Sequence, residues 1–67
     1  MTELIRISLS AARVNAGMSQ QELADALNVS KSTISAWENY KTPMPVDKAE
    51  QMSNLYGLPM ECIKFTK

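Results

Sequence analysis

Residues 19–39 read SQQELADALNVSKSTISAWEN, and they contain the signals for two consecutive helices. It opens with the spacing of a capping box, in which the Ser19 hydroxyl accepts from the N3 amide and Glu22 accepts from the serine amide. Three apolar residues then follow on one helical face: Leu23, Ala24 and Leu27. The segment is therefore predicted to begin as a capped, amphipathic helix.

Asn28 is predicted to end this helix, because asparagine tolerates the left-handed backbone conformation. Only Asn28 and Val29 come before Ser30, which is a second N-cap residue. The next helix is predicted from Lys31 to Asn39. Two capped helices joined by so short a turn must cross steeply, which is the geometry of a helix-turn-helix.

The helix over residues 31–39 has two different faces. The face predicted to join the core carries Ile34, Trp37 and Glu38. The opposite face carries Ser32, Ala36 and Asn39. Small side chains let a helix come close to base edges in a major groove, so this helix is predicted to read DNA.

Further helices are predicted on both sides of this unit. Ser8 caps a first helix over residues 9–16, which Gly17 ends. Pro45 suits the first turn of a fourth helix that Gly57 ends. One face of that helix is predicted to carry Val46, Ala49, Met52, Ser53 and Tyr56. Residues 58–62 add a last helical turn, so the prediction is an all-α, compact bundle of about five short helices in a single domain, residues 1–67.

Two β-prone segments lie outside the helical unit, Leu-Ile-Arg-Ile at residues 4–7 and Ile-Lys-Phe at residues 63–65. An isolated strand is unstable in water, so we expect the segments to be paired. They pair either with each other, as a small two-stranded sheet, or with the same segments of a second subunit. The alternative is that residues 1–7 begin the first helix and residues 64–67 fray.

The order and spacing of these motifs resemble the Cro/C1-type helix-turn-helix of the XRE family. The resemblance rests on residues 19–24, 29–35 and 37–39, and it continues through Pro43 and residues 55–58. It implies a lambda-repressor-like fold over about residues 8–63. It also implies a sequence-specific transcriptional regulator, expected to be a repressor, that binds a two-fold-related double-stranded DNA operator as a homodimer.

The resemblance implies DNA-binding roles for single residues. Three positions match contacts to the DNA backbone in the family: Gln20, Asn39 and Lys41. Three match base-reading positions: Lys31, Ser32 and Ala36. Two flank the base-reading positions: Thr33 and Ser35.

The resemblance also implies a structural ion pair, since Arg13 and Glu38 match a pair that joins the first and third helices in some members. The sequence departs from the family at two glycines. Asn28 stands for the usual glycine of the turn, and Tyr40 stands for the usual glycine after Glu-Asn. The second departure predicts a different loop after the third helix, around Lys41.

Composition argues against an enzyme. The 67 residues contain no histidine, two separate glycines and one cysteine. Without histidine the commonest general base and the commonest metal ligand are missing. Carboxylates occur singly, and two isolated glycines do not make a phosphate-binding loop. We therefore expect no catalytic residues, no cofactor and no metal.

Other properties bear on location and affinity. The N-terminus MTELIRIS lacks the apolar stretch of a signal peptide, and no apolar run reaches the roughly 18 residues of a membrane span. A lone cysteine fits a reducing compartment, so a cytoplasmic protein without a membrane partner is expected. Formal net charge is zero, which predicts modest non-specific affinity for DNA. The alternative function is a helix-turn-helix that binds protein. An antitoxin-like role would combine DNA binding with protein binding.

Overall fold

The computed structural model describes residues 6–66, most of which lie in four α-helices. The helices are α1 (Leu9–Asn15), α2 (Gln20–Leu27), α3 (Lys31–Glu38) and α4 (Val46–Tyr56). A short 3-10 turn, Met60–Cys62, follows α4. The predicted helical bundle is confirmed, and the last helical element is a single turn because Pro59 begins it and a strand follows at once.

Serine side chains start the first three helices. The hydroxyls of Ser8, Ser19 and Ser30 each accept a hydrogen bond from the backbone N–H three residues further on. The capping box at α2 is complete, because the Ser19 N–H also donates to Glu22 Oε1 at 2.8 Å. These bonds satisfy amides that have no partner inside the helix, and they fix where each helix begins.

A residue in the left-handed conformation follows within two positions of the end of each of the four helices. Among residues 6–66, positive φ angles occur at Gly17, Asn28, Tyr40 and Gly57. The amide after each of them donates to a carbonyl five residues earlier, which is the closing bond of a Schellman motif. The four bonds are Met18 N to Arg13 O, Val29 N to Ala24 O, Lys41 N to Ala36 O, and Leu58 N to Ser53 O.

Tyr40 is the unexpected member of this set, since a residue with a Cβ is strained in the left-handed region by roughly 1–2 kcal/mol. Its hydroxyl accepts from the Leu9 N–H at 3.2 Å and donates to the Lys64 carbonyl oxygen at 2.8 Å. The two bonds tie the loop behind α3 to the start of α1 and to the C-terminal strand. They offset the backbone strain that glycine would avoid.

The two ends of the described chain pair with each other. Strand β1 (Ile7–Ser8) lies parallel to strand β2 (Ile63–Lys64), with Ile7 opposite Ile63 and Ser8 opposite Lys64. Ile63 is buried and anchors the pair on the core. The predicted pairing of the termini is confirmed, with β1 ending directly at α1; residues 4 and 5 of the predicted segment lie outside the described residues.

The core contains most of the apolar residues that the helical patterns predict. The buried hydrophobic residues are Leu9, Ala12, Leu23, Ala24, Leu27, Ile34, Trp37, Ala49, Met52 and Ile63. Val46, predicted on the apolar face of α4, is 68% exposed. It is the first residue of α4, and the buried residues of this helix, Ala49 and Met52, lie further along it.

The Lys48 ammonium donates to the Leu27 carbonyl at 2.8 Å and so holds α4 at the negative end of α2.

Replacing Tyr40 with phenylalanine is expected to lower the free energy of unfolding by about 1–2 kcal/mol, because two hydrogen bonds are lost and the partly buried Leu9 N–H is left without its acceptor. Urea denaturation followed by circular dichroism measures the change. The matched control is Tyr56→Phe. The Tyr56 hydroxyl is buried without a hydrogen-bond partner among the described residues, so its removal should leave stability equal or higher. Equal stability of Tyr40→Phe and wild type would contradict the role given to the Tyr40 hydroxyl.

Candidate nucleic-acid interface

Six of the eight predicted DNA-binding residues line one open groove of about 510 Å³. They are Gln20, Lys31, Ser32, Ser35, Ala36 and Lys41. Gln20 is the first residue of α2, the next four lie along α3, and Lys41 belongs to the loop after α3. The helix-turn-helix brings these three parts of the chain to one surface.

The groove is positively charged although the chain is neutral overall. Its lining carries Lys31 and Lys41, both exposed, and no carboxylate side chain. Ser32 and Ser35 add hydroxyl groups that can donate or accept, and Ala36 leaves the middle of the helix face open. Such a surface offers charge and hydrogen-bond donors to phosphates and close access to base edges.

Two predicted residues lie outside the groove lining, and both hold the ends of α3. The Thr33 hydroxyl lies 2.8 Å from Ser30 Oγ, the cap oxygen of this helix. The Asn39 side-chain amide donates to the Ser35 carbonyl oxygen at 2.9 Å and lies 3.3 Å from the Ser35 hydroxyl. In the free protein these side chains bond to α3 itself.

Lys41 occupies a position that is apolar at the other helix ends. The residues that follow the left-handed residue of α1, α2 and α4 are Met18, Val29 and Leu58, and all three pack against the core. An apolar residue there is the usual companion of a Schellman motif. After α3 the same position is an exposed lysine in the groove. A comparison of the four helix ends in the sequence therefore marks Lys41 as a residue that does not pack on the core.

Directly behind the groove, Arg13 and Glu38 form a bidentate salt bridge. Arg13 Nε lies 2.7 Å from Glu38 Oε2, and Arg13 Nη2 donates to Glu38 Oε1 at 3.3 Å. The side chains are only 14% and 7% exposed. Arg13 Nη1 also donates to the Met18 carbonyl oxygen at 2.8 Å, so the pair joins α1, α3 and the turn before α2.

Gln20 is a third member of this buried cluster, and the sequence did not predict its contact with Glu38. Gln20 Nε2 donates to Glu38 Oε1 at 3.0 Å, and so a residue of the groove bonds to the buried carboxylate. The two residues lie 18 positions apart on different helices, and no spacing rule relates them. Only the packing of α2 against α3 brings them together.

Tyr56 lies near the same carboxylate. The pKa of its hydroxyl is raised from 10.0 to about 12, first by burial and then by the negative charge of Glu38, while the positive charge of Arg13 lowers it. Because the pKa is higher in the folded state, the neutral phenol stabilises the fold below pH 10, and this contribution is lost as the pH rises toward 12. The phenol therefore adds no charge to the ion pair near neutral pH.

The part of the chain that the structure describes contains neither a metal-binding cluster nor a helix that could span a membrane. No cluster of three or more histidine, cysteine, aspartate or glutamate residues there is placed to hold a metal ion. None of the helices over residues 6–66 has the length and apolarity needed to cross a bilayer.

Comparison with known proteins gives one result. A family model described as helix-turn-helix matches residues 9–61, from the first residue of α1 to the 3-10 turn. The match includes every residue of the groove and both members of the ion pair. No curated protein and no solved structure matches the chain.

Replacing Arg13 with methionine is expected to lower the free energy of unfolding by roughly 3–5 kcal/mol, because the Glu38 carboxylate is left nearly buried without its cation. The double variant Arg13→Met/Glu38→Leu removes both charges and should recover a large part of the loss. Urea titrations of the two single variants, the double variant and wild type give the coupling energy. Additive losses would show that the pair contributes nothing of its own.

Proposed function

This chain belongs to the Cro/C1-type helix-turn-helix (XRE) family, a family of DNA-binding regulators, and from this premise we propose that it is a sequence-specific transcriptional repressor. It acts in the cytoplasm and reads the major groove of double-stranded DNA with α3. The observation that carries the proposal is the groove, in which six residues from α2, α3 and the following loop form one cationic surface without a carboxylate side chain.

The residues of the groove have two tasks in this proposal. Lys31, Ser32 and Ala36 face the base edges, where the lysine donates to guanine acceptors and the small residues let the helix approach. Gln20, at the start of α2, and Lys41, in the loop after α3, bond to phosphates, which fixes the position of the helix. Ser35 comes directly before Ala36 on α3, beside the base-reading residues.

Thr33 and Asn39 contribute to the proposed interface indirectly, because they stabilise the ends of α3. Each keeps one end of α3 in shape through its hydrogen bond to Ser30 or Ser35. Asn39 is exposed and lies next to the loop that carries Lys41, so its amide can also reach the DNA backbone.

The chain is proposed to bind as a homodimer. One α3 contacts only a few base pairs, and two copies on a two-fold-related operator double the number of bases read. The half-sites would lie about 34 Å apart, which is one turn of DNA. Selection of bound duplexes from a random library would show this spacing directly.

Replacing Ser32 with glutamate is expected to abolish specific binding, because a carboxylate on the exposed face of α3 meets phosphates and base acceptors. Folding should be nearly unchanged, since surface substitutions act within about 0.5 kcal/mol. Gln51→Glu, an equal charge change on an exposed residue of α4, is the control and should retain binding. Gel shifts at about 100 mM salt with the selected duplex test the pair; full binding by Ser32→Glu would reject α3 as the reading helix.

Replacing Lys41 with alanine is expected to weaken binding to all duplexes alike and to reduce the slope of log K against log salt by about one. Lys64→Ala removes the same charge from an exposed residue outside the groove lining, so the slope should not change. Substitutions at Lys31 or Ala36 should instead change which bases are preferred. A change of base preference with Lys41→Ala, and none with Ala36 substitutions, would show that the interface is placed wrongly.

A further inference from the structure

The bond between Gln20 and Glu38 has only one chemically allowed orientation. A carboxylate has acceptors and no donor, so the group that meets Glu38 Oε1 at 3.0 Å must be the Gln20 NH₂. Turning the amide over would place its oxygen against a negatively charged oxygen and would lose a charge-assisted hydrogen bond. The half-buried Gln20 side chain is therefore held in one of its two orientations.

Glu38 is itself unable to follow a moving partner. Both of its oxygens accept from Arg13, at 2.7 and 3.3 Å, and its side chain is 7% exposed. Arg13 is fixed in turn by its bond to the Met18 carbonyl oxygen. The carboxylate is thus a rigid acceptor behind the groove.

We propose that Glu38 is a positioning residue for DNA recognition. By taking one N–H of Gln20, it leaves the other N–H and Oε1 as the only groups that this amide presents to DNA. The free N–H donates to a phosphate oxygen, and its position is set before DNA arrives, which reduces the ordering cost of binding. This inference rests on the proposed function, since it assumes that the groove binds DNA.

Gln21 provides a matched comparison on the same helix. Its Nε2 also donates to a carboxylate, Asp25 Oδ1, at 2.9 Å. Both residues are exposed, however, and neither lines the groove. An exposed pair four residues apart on a helix is weak and exchanges with water, so Gln21 should be free to turn.

The first test is made on the free wild-type protein and does not involve DNA. In a ¹H–¹⁵N spectrum, the side-chain NH₂ of Gln20 should show one downfield-shifted proton that exchanges slowly with water. The NH₂ of Gln21 should resemble that of a free glutamine. Indistinguishable spectra for the two side chains would overturn the proposal and leave the proposed function untouched.

The second test is a double-mutant cycle on DNA affinity, with Gln20→Ala and Glu38→Gln alone and together, each checked for folding by circular dichroism. An amide at position 38 accepts Gln20 in either orientation and so no longer positions it. Gln20→Ala should weaken binding about tenfold beside Glu38 and less than about twofold beside the substituted residue. Gln21→Ala should have no effect in either background.

The outcomes of the cycle separate the two proposals. Equal losses from Gln20→Ala in both backgrounds, or no loss beside Glu38, would overturn the positioning role while DNA binding stands. Failure of the wild type to bind any duplex would overturn the proposed function itself. Should Glu38→Gln not fold, the spectrum of the wild-type protein still decides whether the amide is held.

Discussion

The arrangement of the helices depends on one nearly buried carboxylate. Glu38 lies on the inner side of α3, where it accepts from Arg13 of α1 and from Gln20 of α2. Burial removes the carboxylate from water, so its negative charge requires these donors. Because the donors lie on α1 and α2, their bonds to Glu38 fix the positions of three helices relative to one another. The same contact reaches the surface, because Gln20 lines the groove. Core and interface are joined through one side chain.

The second constraint is that every helix must end abruptly. The four helices are 7, 8, 8 and 11 residues long, and compact packing of such short pieces requires sharp turns. Left-handed residues supply these turns, and the residue that follows normally packs on the core. The end of α3 departs from this pattern at both positions. Tyr40 replaces glycine and is held by its hydroxyl, while Lys41 faces the solvent in the groove.

The charges of the chain sum to zero, but they are distributed unevenly over the structure. Arg13 and Glu38 neutralise each other behind the groove, and Lys48 bonds to the end of α2. The groove keeps two lysines and no carboxylate side chain. A neutral chain with a cationic groove is suited to bind DNA through local contacts more than through long-range attraction, which favours specific over non-specific binding.

Most of the local structure can be predicted from the sequence: the serine caps of α1 to α3, Pro45 before α4, and the glycine or asparagine after α1, α2 and α4 act over a few residues. The turn between α2 and α3 and the family resemblance also identified the residues of the groove. Tertiary structure alone decided the bond of Gln20 to Glu38, the two bonds of the Tyr40 hydroxyl and the exposure of Val46. Each depends on how distant segments pack, and neither periodicity nor spacing carries that information.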